Sequence, residues 1–323
     1  MPDMNQLHVV AGVIRDPLGR ILLARRTEGR DLAGLWEFPG GKLEPGESPQ
    51  VALARELHEE LGIRATVGAN VIRVPQQYPD KRLVLDVHEV RSYTGTPKGL
   101  DGQALAWVPP QLLASYAMPP ADRPVVAALL QPDRYLITPR PSADDATWLA
   151  ALERALAAGI QRVQLRAPEC EPERWLRLAA SAVGLCREAH AEVLINGDVG
   201  MAARLGCGVH LRSMQLHELE GESLFDQHRK AGQLLAASCH TARDLIRAQA
   251  LACDFVVLGP VRATATHPGA IGIGWEAFAH MREQVSLPIY ALGGLTMDDL
   301  EIARTHGAQG VAAIRGLAIQ APT

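Results

Sequence analysis

Hydrophobic and polar positions fall into two textures along this chain, and the change comes at Gln131-Pro132-Asp133. Before the break, runs from Leu7 to Ile14 and from Arg20 to Arg26 flank the turn Asp16-Pro17-Leu18-Gly19, which predicts a β-hairpin. Strand-like runs follow at Ala65 to Val74, Arg82 to Val90 and Leu105 to Val108. Between them Leu53, Leu57 and Leu61 recur at helical spacing, with Ser48 suited to the N-cap, Pro49 to the first helical position and Gly62 to the left-handed position past the end. A helix from about Pro49 to Leu61 is therefore expected, and a shorter one from about Asp122 to Leu130. Together these elements make an α+β unit.

Beyond the break, short apolar strands alternate with Ala-rich helical stretches. The strands are expected at Tyr135 to Pro139, Arg162 to Arg166, Glu192 to Asn196, Gly208 to Leu211, Leu234 to Ser238, Phe255 to Gly259, Ile289 to Gly293 and Gly310 to Ile314. Eight alternations of strand and helix predict a closed (β/α)₈ barrel with ligands at the C-terminal strand ends. The expected domains are thus 1–131 and 132–323.

Composition narrows the function classes. A chain of 323 residues with 47% hydrophobic content has room for two separate cores. A net charge of -4 leaves no electrostatic footprint for polymeric nucleic acid, so a nucleotide ligand is expected to be a free small molecule. Asp3 stands where a signal peptide is basic, no apolar run has membrane-spanning length, and five cysteines without CxxC spacing suggest neither disulfides nor zinc. Cytoplasmic location is the expectation, and oligomeric state is not legible.

The chemistry concentrates between Glu37 and Ile63. Glu56, Glu59 and Glu60 share one face of the expected helix, where like charges repel unless a cation sits on them. A hard divalent ion with oxygen ligands answers that need, Mg²⁺ foremost and Mn²⁺ as a substitute. Gly40 and Gly41 let backbone approach a ligand and turn a carbonyl toward the metal. The competing explanation is a solvated outer face of an ordinary helix. Spacing decides between them: Gly41, five residues to Glu47, seven more to Arg55-Glu56, then Glu59-Glu60 and Gly62-Ile63 match the Nudix box at every fixed position.

From Leu7 to about Leu130 the chain resembles the MutT branch of the Nudix family, which hydrolyses oxidised guanine nucleoside triphosphates. Arg25-Arg26, Glu37-Phe38-Pro39-Gly40-Gly41, Tyr78-Pro79-Asp80, Asp101-Gly102-Gln103 and Pro119-Pro120-Ala121-Asp122 fall in the family's order. The resemblance implies an α/β/α sandwich, a metal held by Gly40, Glu56, Glu59, Glu60 and Asp101, and catalysis by Arg55, Glu56, Glu59 and Glu60, Arg55 orienting the carboxylates by an ion pair. It implies substrate contacts at Arg26, Asp31, Glu37, Phe38, Pro39, Gly40 and Asp122. The family has asparagine at the place of Asp122, histidine at Asp31 and glutamate at Asp101. A carboxylate at 122 accepts from guanine N1-H and N2-H₂, whereas adenine presents an acceptor in place of N1-H. The alternative for Asp122 is a plain helix N-cap.

From about Arg134 to Ile319 the chain resembles thiamine phosphate synthase, a barrel that joins a pyrimidine diphosphate to a thiazole phosphate. Gln164-Leu165-Arg166, Asn196, Gly208-Val209-His210-Leu211, Ser238-Cys239-His240-Thr241, Gly259-Pro260 and Gly293-Gly294 carry that resemblance. Catalytic positions depart from it: Pro168 and His267 replace lysines, and Gly197 and Gln215 replace the carboxylates that hold Mg²⁺, with Asp198 able to substitute for one by a shift of register. Synthase activity is therefore not expected. A phosphate site is expected to persist around Gln164, Arg166, Gly293, Gly294, Arg315 and Gly316, the alternative being that the glycines only make tight turns.

The reading is a Mg²⁺-dependent nucleoside triphosphate pyrophosphohydrolase acting on 8-oxo-dGTP, fused to a barrel without synthase activity. One rival is a hydrolase for a thiamine-pathway diphosphate. Another is a hydrolase regulated by a barrel that senses a phosphorylated thiamine precursor.

Overall fold

The computed structural model describes residues 6–317 apart from 30, 219–224, 226–229 and 264–271. His267 lies outside the described residues. The chain divides into two compact units, one running to Gln131 and the other holding nearly all that follows.

In the first unit, β1 (Gln6–Val13), β4 (Gly40–Lys42), β5 (Arg64–Gln77) and β6 (Arg82–Thr94) form a sheet of order β4-β1-β6-β5. A second sheet joins β3 (Trp36–Glu37), β2 (Ile21–Arg25) and β7 (Leu105–Val108). Helix α1 (Pro49–Leu61) buries Leu53, Leu57 and Leu61 against Val10, Ile14 and Leu22, while α2 (Asp122–Leu130) packs Val125 and Val126 among Ala11, Val13, Ile72 and Leu85. Alternate residues of β1 thus face different helices, as the two-residue period of a strand requires.

The expected hairpin is corrected. Its turn exists: Gly19 N donates to Asp16 O at 2.9 Å, and Asp16 Oδ1 accepts from Leu18 N and Arg20 N. Yet β1 and β2 share only the bridge between Arg15 and Ile21 before diverging into different sheets. Both edges of β1 are taken, by β4 and by β6, so no ladder edge remains for β2. Strands β5 and β6 also outrun their apolar stretches, because their polar ends still pair, Arg64 with Thr94.

The second unit is a closed parallel barrel of eight strands: β8 (Arg134–Ile137), β9 (Arg162–Leu165), β10 (Glu192–Asn196), β11 (Gly208–Leu211), β12 (Leu235–Cys239), β13 (Phe255–Leu258), β14 (Ile289–Leu292) and β15 (Gly310–Ala313), the last pairing back onto β8. Tyr135, Phe255 and Tyr290 stack in its interior with ring centroids 5.2 to 5.6 Å apart. At the N-terminal end Arg162 is buried, with its guanidinium carbon 4.2 Å from the Phe255 ring centroid, a bond to Tyr290 Oη at 2.8 Å and another to Glu192 Oε2 at 2.5 Å. A higher layer is polar: Gln164 Nε2 donates to Tyr135 Oη at 3.2 Å, and His210 bridges Tyr135 Oη and Ser238 Oγ at 3.0 and 2.9 Å. Burial pushes the His210 imidazole down to about 3, so it is neutral and its two nitrogens serve as one donor and one acceptor. No helix among the described residues is long and apolar enough to cross a membrane.

Candidate active site

The acidic helix is set by local signals that the structure realises. Ser48 caps it by accepting from Val51 N at 3.4 Å, Pro49 opens it, and Gly62 ends it at φ 67°. With the leucine face buried, Arg55, Glu56, Glu59 and Glu60 are left on the opposite side, lining a cleft of about 960 Å³.

Arg55 organises that face. Its Nε and Nη2 each donate to the Glu47 carboxylate at 2.9 Å, Nη1 donates to Glu56 Oε1 at 2.8 Å and to Glu59 Oε2 at 3.1 Å, and Nη2 also reaches Lys42 O at 3.1 Å. Bonds from Glu47 and then Glu56 raise the arginine above its ordinary value, and Arg55 holds the Glu47 carboxyl below its own. The fork fixes both charge and orientation, since a bidentate guanidinium has one way to meet a carboxylate. Sequence reasoning placed Glu47 in the box without giving it this clamping role, whose signal was the fixed spacing to Arg55.

Across from α1, Gly40 and Gly41 pair with Ala11 and Val10. A Cβ on Gly41 would lie 2.1 Å from Glu56 Oε2, and one on Gly40 would lie 2.0 Å from Val10 O. The strand backbone therefore presses directly against the Glu56 carboxylate. Among the described residues no three His, Cys, Asp or Glu side chains already gather as a metal site. The donor set still fits a hard cation: carboxylate oxygens from one helix face stand over a glycine strand with no side chain between.

At the far side of the cleft Arg26 pairs with Glu37 and donates to Asp31 O at 2.6 Å, while Lys81 pairs with the Asp31 carboxylate. Asp122 is only 5% exposed and accepts from Phe38 N at 3.2 Å. Burial first, then the charge of Glu37, pushes its carboxyl up to about 8. The capping alternative fails, because Ala121 is the N-cap residue and Asp122 reaches back to the backbone linking β3 and β4.

Of the expected residues, Arg26, Asp31, Glu37, Gly40, Arg55, Glu56, Glu59, Glu60 and Asp122 line one cleft. Phe38 is buried behind it, contributing its backbone N-H to Asp122, and Pro39 is not among the lining residues. Asp101 is exposed on the turn after β6, away from the lining, where Gln103 takes its backbone N-H and donates in turn to Glu60 O at 3.2 Å. Tyr78 and Lys81 line the cleft as well. Tyr78 was legible only as motif order and Lys81 not at all, because which side of the sheet a loop covers is a tertiary fact.

In the barrel, Gln164 is committed to the interior polar layer and Arg166 stands at the C-terminal end of β9. Packing accounts for two of the glycines: a Cβ on Gly293 would meet Pro260 Cβ at 2.5 Å, and one on Gly316 would meet Leu295 O at 2.1 Å. Gly294 adopts φ 65°, and Arg315 is exposed.

An α/β/α unit with a carboxylate helix clamped onto a glycine strand, followed by an eight-stranded barrel, is the architecture of a hydrolase domain joined to a (β/α)₈ domain. Residues 10–128 match the NUDIX domain model and residues 134–317 match that of thiamine monophosphate synthase. A CTP pyrophosphohydrolase of Escherichia coli is 44% identical over 128 residues, 39% of this chain and 93% of that protein. An 8-oxo-dGTP diphosphatase of Haemophilus influenzae is 40% identical over 40% of this chain and 94% of its own length. A thiamine-phosphate synthase of Azorhizobium caulinodans is 32% identical over 57% of this chain and 85% of its own. The chain belongs to the Nudix family through its first unit, a hydrolase domain, and to the thiamine monophosphate synthase family through its second.

Proposed function

We propose that the first unit, 1–131, is a Mg²⁺-dependent nucleoside triphosphate pyrophosphohydrolase that sanitises 8-oxo-dGTP, with Mn²⁺ able to replace Mg²⁺. Water and the triphosphate yield the monophosphate and diphosphate. The observation that carries this reading is the Arg55 clamp, which holds Glu56 and Glu59 on one cleft wall against Gly41. Glu56, Glu59 and Glu60, with the Gly40 carbonyl, would hold the metal, and Asp101 joins them only if its turn closes toward the cleft. The bound ion supplies neutralisation of the polyphosphate and acidification of water. Arg55 keeps the carboxylates aimed, and Glu59, the most exposed of those it holds at 57%, is placed to take a proton from water. Arg26, Asp31, Glu37, Phe38 and Asp122 shape the base end of the cleft. The proposed setting is the cytoplasm.

A second reading is favoured by the state of Asp122. With its carboxyl at about 8, it is neutral near pH 7 and presents one donor and one acceptor. That pair satisfies guanine O6 and N1-H, and equally cytosine N3 and N4-H₂, so cytidine triphosphate is the competing substrate; a relative of 44% identity bears the name CTP pyrophosphohydrolase. Specificity constants of the full chain for 8-oxo-dGTP, dGTP and CTP with Mg²⁺ decide. Preference for CTP by tenfold replaces the first reading with the second, and hydrolysis of none refutes both. The barrel, 132–323, is proposed to lack synthase activity, and an assay with both synthase substrates that yields thiamine phosphate would overturn this.

A further inference from the structure

At the mouth of the barrel Arg262 is paired with Asp299, whereas Arg166 and Arg212 have no ion pair among the described residues. Strands β9, β10 and β11 are parallel neighbours, with Leu165 opposite Ile195 and Asn196 opposite His210. Arg166, Gly197 and Arg212 are the first residues past those three strands, so they stand side by side at one end of the barrel, about 4.8 Å per strand apart. Gly197 is buried with φ 75°, and a Cβ on it would lie 2.3 Å from Arg212 Nε and 2.8 Å from Arg212 Nη2. The Arg212 guanidinium thus fills the space that a side chain at 197 would need. Gln215 ties the two backbones together: its Nε2 donates to Gly197 O at 2.9 Å and its Oε1 accepts from Arg212 N at 2.9 Å. Asp198 is engaged in capping the next helix, accepting from Met201 N at 2.8 Å.

These residues do not fit a divalent ion. The two positions where the synthase resemblance calls for metal-holding carboxylates carry a glycine and an amide already spent on backbone, and a guanidinium against Gly197 repels a second cation. We infer that this mouth binds a phosphate- or diphosphate-bearing small molecule without any metal, Arg212 acting as the fixed cation and Arg166 as a second donor fork. A guanidinium offers paired N-H groups matched to phosphate oxygens, so it replaces both the charge and the directionality that an ion would bring. Beneath the mouth, the Gln164, Tyr135, His210 and Ser238 layer gives the ligand a polar floor. The inference is independent of which nucleotide the first unit takes.

Calorimetry on the full chain in EDTA, with inorganic phosphate, inorganic diphosphate and thiamine monophosphate as separate probes, tests it. At least one probe binds, with the same Kd in EDTA and in excess Mg²⁺, and the probe that binds best identifies free diphosphate or a phosphate ester as the ligand. Arg212→Gln weakens that binding by about tenfold or more, while nucleotide hydrolysis stays at the parent rate and the thermal unfolding curve of the full chain, unchanged, reports an intact barrel. Arg166→Gln, on a different strand, gives a loss in the same sense. The inference is overturned by no binding of any probe, by binding that requires Mg²⁺, or by binding that Arg212→Gln leaves unchanged.

Discussion

Replacing Gly41 by alanine separates catalysis from stability at a single methyl group. The new Cβ would lie 2.1 Å from Glu56 Oε2 and 2.2 Å from Glu56 Cδ, about 1.3 Å short of ordinary contact at 3.4 Å. What must move is the end of a flexible side chain, not backbone, so the fold has a cheap way out. Swinging Glu56 aside weakens one partly exposed ion pair with Arg55, worth about 0 to 1 kcal/mol, and an alanine in place of glycine restricts the unfolded chain by about 0.4 to 1 kcal/mol in the other direction. Net stability should therefore change by less than about 1 kcal/mol. Catalysis has no such tolerance, because a displacement of about 1 Å in a positioned group costs on the order of a hundredfold. The expected outcome is a melting temperature close to that of the parent and a fall of about a hundredfold in kcat/KM for 8-oxo-dGTP at saturating Mg²⁺. Parent-like kcat/KM in a folded Gly41→Ala protein would refute the reasoning, since Glu56 would then have no need to stand where it does.

Gly40→Ala is the contrasting case: its Cβ would meet Val10 O at 2.0 Å, a backbone atom, so thermal unfolding should shift down strongly, by about 1 to 3 kcal/mol. Glu60→Gln keeps size and removes charge, so turnover should collapse with far-UV circular dichroism unchanged, and near-normal turnover at saturating Mg²⁺ would show that this glutamate holds no metal. Asp122→Ala should cost about 1 to 3 kcal/mol in kcat/KM for guanine nucleotides, and for CTP if cytosine is the base read, and much less for a sugar triphosphate with no base edge, an equal loss on that last substrate contradicting a base-reading role. The folded-state carboxyl of Asp122 lies above its unfolded value, so its contribution to stability is complete below the ordinary aspartate range and is lost as pH rises through about 8. The melting difference between parent and Asp122→Asn should follow that course, and the ratio of 8-oxo-dGTP to CTP turnover should rise from pH 7 to pH 9 as Asp122 becomes a pure acceptor.

How much was legible in the chain depended on how local the cause was. Helix α1 runs from Pro49 to Leu61 as expected, because Ser48, Pro49 and Gly62 act within a turn of their own position. Leu105 to Val108 and Glu192 to Asn196 matched to the residue, the second because its parallel neighbours bury Val193, Leu194 and Ile195 as one apolar run. The hairpin misled because a turn specifies that the chain reverses, not that the two strands pair beyond it. Asp122 was legible as a candidate, and the structure places it in the cleft, but its raised carboxyl comes from burial and from Glu37, 85 positions away in sequence, which no local pattern encodes. Arg212 was invisible for a similar reason: a surface-type residue beside a glycine gains meaning only once β10 and β11 lie side by side.

The base of the barrel has a consequence for traffic. Arg162 lies under the rings of Phe255 and Tyr290, and Tyr290 Oη is in turn bonded to Pro132 O, so the N-terminal end is sealed by a cation and aromatic planes. A vessel closed below has a single door. Whatever enters through the mouth must leave by the same route, so two ligands cannot pass through in sequence from opposite ends. Occupancy is then limited to what the mouth admits at one time, and compounds that use Arg212 exclude one another however different the rest of their structures.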